Sequence, residues 1–137
     1  MANTMLKLFY PCGDIDLRNP IENPYKLLLE DGKYKGKKGL GLKKNHTMKG
    51  IFTFIVKYCE NRYVVFLEKN VGHIDIAFAK PVNYAGKIKF SNKGELVWWD
   101  NNSGHYKPEK ELAPDIASAT DILLLNEFQS FETSSYF

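Results

Sequence analysis

The sequence predicts an α+β domain in which an antiparallel β-meander curls into a partial barrel and carries a C-terminal helix. Three observations predict it. Five apolar, β-branched or aromatic runs follow one another between residues 51 and 99, separated by turn formers. Aromatic residues make up 14% of the chain, with nine Phe and eight Tyr, a composition that favours strands. After Pro114, the residues Ile116, Ala119, Ile122 and Leu123 recur at three- and four-residue spacing, which is helical.

Taken in order, residues 6–10 form a short first strand that stops at Pro11 and Gly13. Residues 11–24 hold prolines, Asp and Asn, and are read as turns. Residues 27–34 pass through Asp31-Gly32 after an apolar run. That pair signals a tight hairpin, because both turn positions tolerate positive φ. A helix from Pro24, capped by Asn23, is the competing reading. Residues 33–46 carry lysines and glycines without apolar periodicity and are expected to be a mobile connection. Residues 51–58 and 62–67 read as neighbouring antiparallel strands around a short turn. Residues 72–78 alternate, so Ile74, Ile76 and Phe78 are the expected core face of a third strand. Residues 84–90 and 95–99 add two more, with the turn Asn92-Lys93-Gly94 between them. A helix then runs from Pro114 to about Phe128, with Asp115 favouring its N-terminal end.

At 137 residues the chain is expected to be one domain, residues 1–137, with enough length to bury a core unaided. No run approaches the roughly 18 apolar residues of a membrane span, so no membrane is expected. Residues 1–10 are too short in apolar length for a secretory signal, which gives a cytoplasmic protein or one exported without a cleavable signal. Cys12 and Cys59 form no Cys-x-x-Cys pair and are read as reduced thiols. Charge is uneven: seven lysines and no acid between residues 33 and 49, against two lysines and six acids from residue 101 onward.

Chemistry-bearing residues gather around residues 94–108. Trp98 and Trp99 end a strand that runs into Asp100, Asn102, Ser103, His105 and Tyr106. His73 and Asp75 share one face of the expected third strand. If the sheet curls, His105 and His73 open on one rim, with Asp75 as the carboxylate that fixes an imidazole tautomer in an acid/base unit. Trp98 or Trp99 would be a stacking wall. Ser103, His105 and Asp100 do not make a nucleophilic triad, since Ser103 and His105 are two apart in a tight loop and no Gly-x-Ser-x-Gly elbow exists. The spacing of His73, His105, Asp75 and Asp100 matches no standard metal motif, so neither metal nor cofactor is expected. The competing reading makes the loop scaffolding, with Tyr106 buried and His105 bonded to a backbone carbonyl.

Lys37, Lys38, Lys43 and Lys44 could face the phosphates of a small anionic ligand. The Gly-Lys-Ser/Thr ending of a phosphate-binding loop is missing. Lysine without arginine or interleaved aromatics argues against sequence-specific nucleic-acid reading.

An ordered series of motifs, Val71-Gly72-His73, Pro81 to Ile88, Gly94-Glu95-Leu96 and Asn102-Ser103-Gly104-His105-Tyr106-Lys107-Pro108, resembles an uncharacterised domain. That domain occurs in bacterial proteins, some associated with toxins or effectors, and accompanies the IQ motif in plant calmodulin-binding proteins. The resemblance covers about residues 62–110. It departs at Ile74-Asp75, where the family pattern has two serines, and no IQ motif is present. It implies that His73 and residues 103–108 lie together in space.

The leading expectation is thus an effector-like or phage/bacterial accessory protein with a rim pocket for a small, anionic, nucleotide-like ligand and catalysis through His105. The alternative is a non-catalytic protein–protein interaction module or homo-oligomer.

Overall fold

The computed structural model describes residues 5–39 and 44–131. Among these residues seven strands form one antiparallel sheet: β1 (Tyr25–Glu30), β2 (Lys33–Lys37), β3 (His46–Thr47), β4 (Gly50–Cys59), β5 (Arg62–Glu68), β6 (Tyr84–Phe90) and β7 (Leu96–Trp99). Two helices accompany them, α1 (His73–Ala77) and α2 (Ala113–Thr120), with 3-10 turns at Lys110–Leu112 and Leu125–Glu127. The spatial order is β3-β2-β1-β5-β4-β6-β7. The expected partial barrel does not form. The sheet is neither closed nor strongly curled, and β4 lies between β5 and β6 instead of heading a meander.

Local chemistry explains the hairpins. Asp31 and Gly32 both take positive φ between β1 and β2, which matches the twist of the paired strands. Glu60 and Asn61 do the same between β4 and β5. The helix weighed from Pro24 is absent, and the lysine connection begins as strand β2. Residues 6–10 contribute one bridge, Phe9 to Val82, instead of a strand.

The larger correction is at residues 72–78. The expected strand is helix α1, with Gly72 extended before it and Phe78 in the left-handed region after it. All five helical residues are buried, whereas Phe78, expected in the core, is 41% exposed. Over five residues a two-residue alternation cannot be told from one helical turn. The backbone decides through Ala79 N–H donating to Ile74 O and a second left-handed residue, Ala79, that ends the turn. The C-terminal helix exists but stops at Thr120, short of the expected Phe128, where Asp121 takes positive φ.

Register divides the sheet into two covered faces. Phe52, Phe54, Val56, Leu67, Ile88, Phe90 and Trp99 share one face and are all buried. Residues 109–124 close it through three polar tips on aromatic rings: Tyr84 Oη donates to Glu109 O at 2.8 Å, Tyr34 Oη to Ile122 O at 2.6 Å and Trp99 Nε1 to Leu124 O at 2.7 Å. The opposite face carries Thr53, Ile55 and Lys87, and α1 covers part of it. Among the described residues no helix is long and apolar enough to cross a membrane.

Candidate functional site

The loop after β7 begins with Asp100. Its Oδ1 accepts the Lys87 N–H at 2.7 Å and the Asn102 N–H at 2.9 Å, so the carboxylate shapes the turn itself. Burial raises its pKa, and those two amides and the Lys87 ammonium pull the other way. Asn101 is fully buried, donating to Pro108 O at 2.9 Å and accepting the Phe131 N–H at 2.6 Å. Ser103 is buried too, its Oγ accepting the Tyr106 N–H at 3.3 Å. Tyr106 sends its hydroxyl to Lys80 O at 2.7 Å, and burial pushes its pKa up to about 12. The bonds to Lys87, Phe131 and Lys80 tie the loop to other parts of the chain, and the others fix its own turns.

His105 is half-buried and holds the N-terminal segment twice. Its carbonyl accepts the Cys12 N–H at 2.9 Å and the Cys12 thiol at 3.0 Å. Its ring Nε2 lies 3.1 Å from Asp14 O, a carbonyl that can only accept, so Nε2 carries the proton.

His73 is the first residue of α1, and its Nε2 donates to Gly86 O at 2.8 Å. Burial lowers its pKa to about 4. The Gly86 carbonyl opposes this shift, while Lys87 and His105 reinforce it. The ring is therefore neutral at pH 7, with Nδ1 as its only acceptor. Asp75 is buried too and holds the N-terminal segment. Its Oδ1 accepts the Asn19 N–H at 3.3 Å and its carbonyl accepts the Ile21 N–H at 3.0 Å.

His73 and the loop after β7 meet at Gly86. A Cβ at Gly86 would sit 1.8 Å from Asp100 O, so only glycine lets the backbones approach this closely. Lys87, beside it, donates its ammonium to Thr53 Oγ1 at 2.8 Å, and Thr53 Oγ1 donates to Val71 O at 2.9 Å. Burial lowers the Lys87 pKa, against the pull of Asp100. Lys87, Thr53 and Gly86 are central to this cluster and were not singled out from sequence. The alternation of Lys87 with Lys89 reads as a solvent face, and nothing local reveals that α1 roofs it.

A cleft of about 500 Å³ opens at His105, between the N-terminal segment and the start of α1. Its lining includes Asp14, Asp16, Asp75, Arg18 and His105. Three carboxylates against one guanidinium make it an acidic cleft, unsuited to an anion.

The other expected binding residues are scattered. Trp99 is a core residue rather than a stacking wall, its ring 4.7 Å from that of Phe128. Trp98, opposite Lys89 in the ladder, is half-buried on the other face. Lys38 pairs with Glu68 at 3.0 Å and lies 4.5 Å over the Tyr25 ring. Lys37 and Lys44 are exposed, and Lys43 lies outside the described residues. Lys37, Lys38 and Lys44 do not line the His105 cleft. No group of three His, Cys, Asp or Glu side chains able to hold a metal exists among the described residues.

Comparison with protein-family models, with curated proteins and with solved structures finds no match to this chain.

Proposed function

We propose that this domain is a non-catalytic interaction module that self-associates through an apolar strap, residues 8–17. One observation carries the reading. Leu8, Tyr10, Ile15 and Leu17 remain 47%, 66%, 44% and 37% exposed although the backbone around them is pinned. Phe9 bonds Val82 in both directions, Cys12 and Asp14 bond His105, and Ile21 bonds Asp75. Single exposed apolar residues need no explanation, but four within ten residues of a fixed segment suit a partner surface. In this reading, His105 and Asp75 are the posts that hold the strap out.

The chain supplies a fitting acceptor for that strap. Asp14-Ile15-Asp16-Leu17 alternates acid and apolar residues. A depression of about 530 Å³ between β1 and β5 is lined by Leu27 and Leu29, with Lys26, Lys37 and Arg62 exceeding its acids Glu60 and Asp121. Strap and depression are different patches, so the contact is heterologous and propagates into rings or chains of subunits. Sedimentation velocity across a wide concentration range tests this. Assembly that grows with concentration, weakens with salt and is lost in both Ile15→Ser/Leu17→Ser and Lys26→Glu/Arg62→Glu is the expected result. A monomer at every concentration overturns it.

A second reading is favoured by the volume of the His105 cleft: a small-ligand site, in keeping with an effector-like or phage/bacterial accessory role. Its three carboxylates favour an amine or other donor over a nucleotide. Titrating the imidazole proton signals of His105 with AMP and with a diamine separates the two. Saturable shifts with neither would remove this reading.

A further inference from the structure

We propose that a second site, a groove on the α1 face of the sheet, binds a small monocarboxylate with an apolar body. The groove has a volume of about 270 Å³ and a floor of Ile55, Phe66 and Ile76. That volume holds about nine water-sized groups at roughly 30 Å³ each, the size of a medium-chain acyl tail. Phe78 stands at its side, 41% exposed.

Two features distinguish it from an ordinary gap in packing. First, α1 ends in two successive left-handed residues, Phe78 at φ 54° and Ala79 at φ 58°. An aromatic residue rarely adopts this conformation, and here it turns the ring outward at the groove edge instead of over the sheet. Second, Lys57 on β4 and Lys80 after α1 both line the groove. Neither ammonium has an ion-pair or hydrogen-bond partner among the described residues. Lys57 stands two residues beyond Ile55 on the same strand face, so its stem follows the floor while its charge reaches the rim. Glu22 is the one acid in the lining, which leaves an excess positive charge over an apolar floor. An apolar tail buried on Ile55 and Phe66, with its carboxylate between two ammoniums, satisfies both features at once.

The test is a titration of the isotope-labelled chain with sodium decanoate, below its micellar concentration and at low ionic strength, followed by amide chemical shifts. Saturable shifts centred on Ile55, Phe66, Ile76 and Phe78 are expected. In Lys57→Gln/Lys80→Gln, two surface changes whose amide spectrum reports whether the fold is kept, affinity should fall by about tenfold or more, while neutral decan-1-ol binds as it does to the parent chain. Absence of saturable shifts, shifts centred away from the groove, or parent-like decanoate affinity in the double variant would each overturn the proposal.

Discussion

Gly86 sits where three backbone demands meet. Its carbonyl accepts the His73 imidazole, the next N–H donates to the Asp100 carboxylate, and its Cα faces the Asp100 carbonyl at a distance that excludes a side chain. A methyl group there would displace backbone, not a flexible tip. Gly86→Ala should therefore cost about 4 kcal/mol or more in urea unfolding, and a loss under about 1 kcal/mol would mean that the close approach is not maintained. His73 gives a separate, pH-dependent signal. Its folded pKa, about 4, lies below the ordinary 6.5. The unfolded chain takes up a proton as pH falls through 6.5, while the folded chain does not until about 4. Stability is thus lost on acidification across that window, by about 3 kcal/mol at most. Asp100, whose pKa burial raises, works in the opposite sense at the acid end. In His73→Gln the side chain still donates to Gly86 O but cannot titrate. Urea midpoints measured at pH 7.5 and 4.5 should differ clearly less in this variant than in the parent chain. An unchanged difference would assign the acid sensitivity elsewhere.

At the scale of elements, legibility followed the reach of the signals. The β1–β2 hairpin was readable because Asp31-Gly32 states its own φ requirement, and β4, β5 and β6 because each run, of 10, 7 and 7 residues, is long enough for its chemistry to dominate. Helix α1 was not, because five residues hold too little periodicity and its helicity is enforced by burial against β4 and by the left-handed stop at Phe78 and Ala79. The site was half legible for the same reason. His73, Asp75 and His105 could be named from residue type, but their tasks depend on partners far along the chain, namely Gly86, Asn19 and Cys12. The C-terminal clasp is another long-range device, since α2 is short and the segment after it is held by aromatic tips from the sheet. Trp99→Phe removes an indole N–H bond and ring volume from a fully buried site and should cost about 2–4 kcal/mol. Tyr34→Phe leaves Ile122 O without its donor and should cost about 1–2 kcal/mol. Both bonds hold the same stretch, residues 122–124. A double-mutant cycle should therefore show about 0.5 kcal/mol or more of coupling, and strict additivity would mean that the two bonds act independently.

Across the whole molecule, stability concentrates where the sheet is covered twice. Phe54, Ile55 and Val56 of β4 pair with β5 on one side and β6 on the other, with side chains buried on both faces. At the far edge, β3 has two residues and one paired neighbour. Exposing the β4 amides requires both layers to leave, whereas opening β3 breaks its two-residue pairing with β2 and the His46 ring contact to Tyr25 and leaves the β4 ladder in place. Native-state hydrogen exchange should therefore find the slowest amides in β4 and its neighbours, with opening free energies equal to global unfolding and the same denaturant slope. The amides of β3 should exchange through small openings almost insensitive to denaturant. The strap adds a finer contrast. The Cys12 N–H ends on the His105 carbonyl, and the Ile21 N–H on the Asp75 carbonyl. In His105→Ala the lost ring contact to Asp14 should speed exchange at Cys12 several-fold and leave Ile21 and β4 unchanged, since the strap is fixed at separate posts. Uniform acceleration through β4 would instead make His105 part of the global core, and the strap would then be a layer of the fold rather than a segment held out from it.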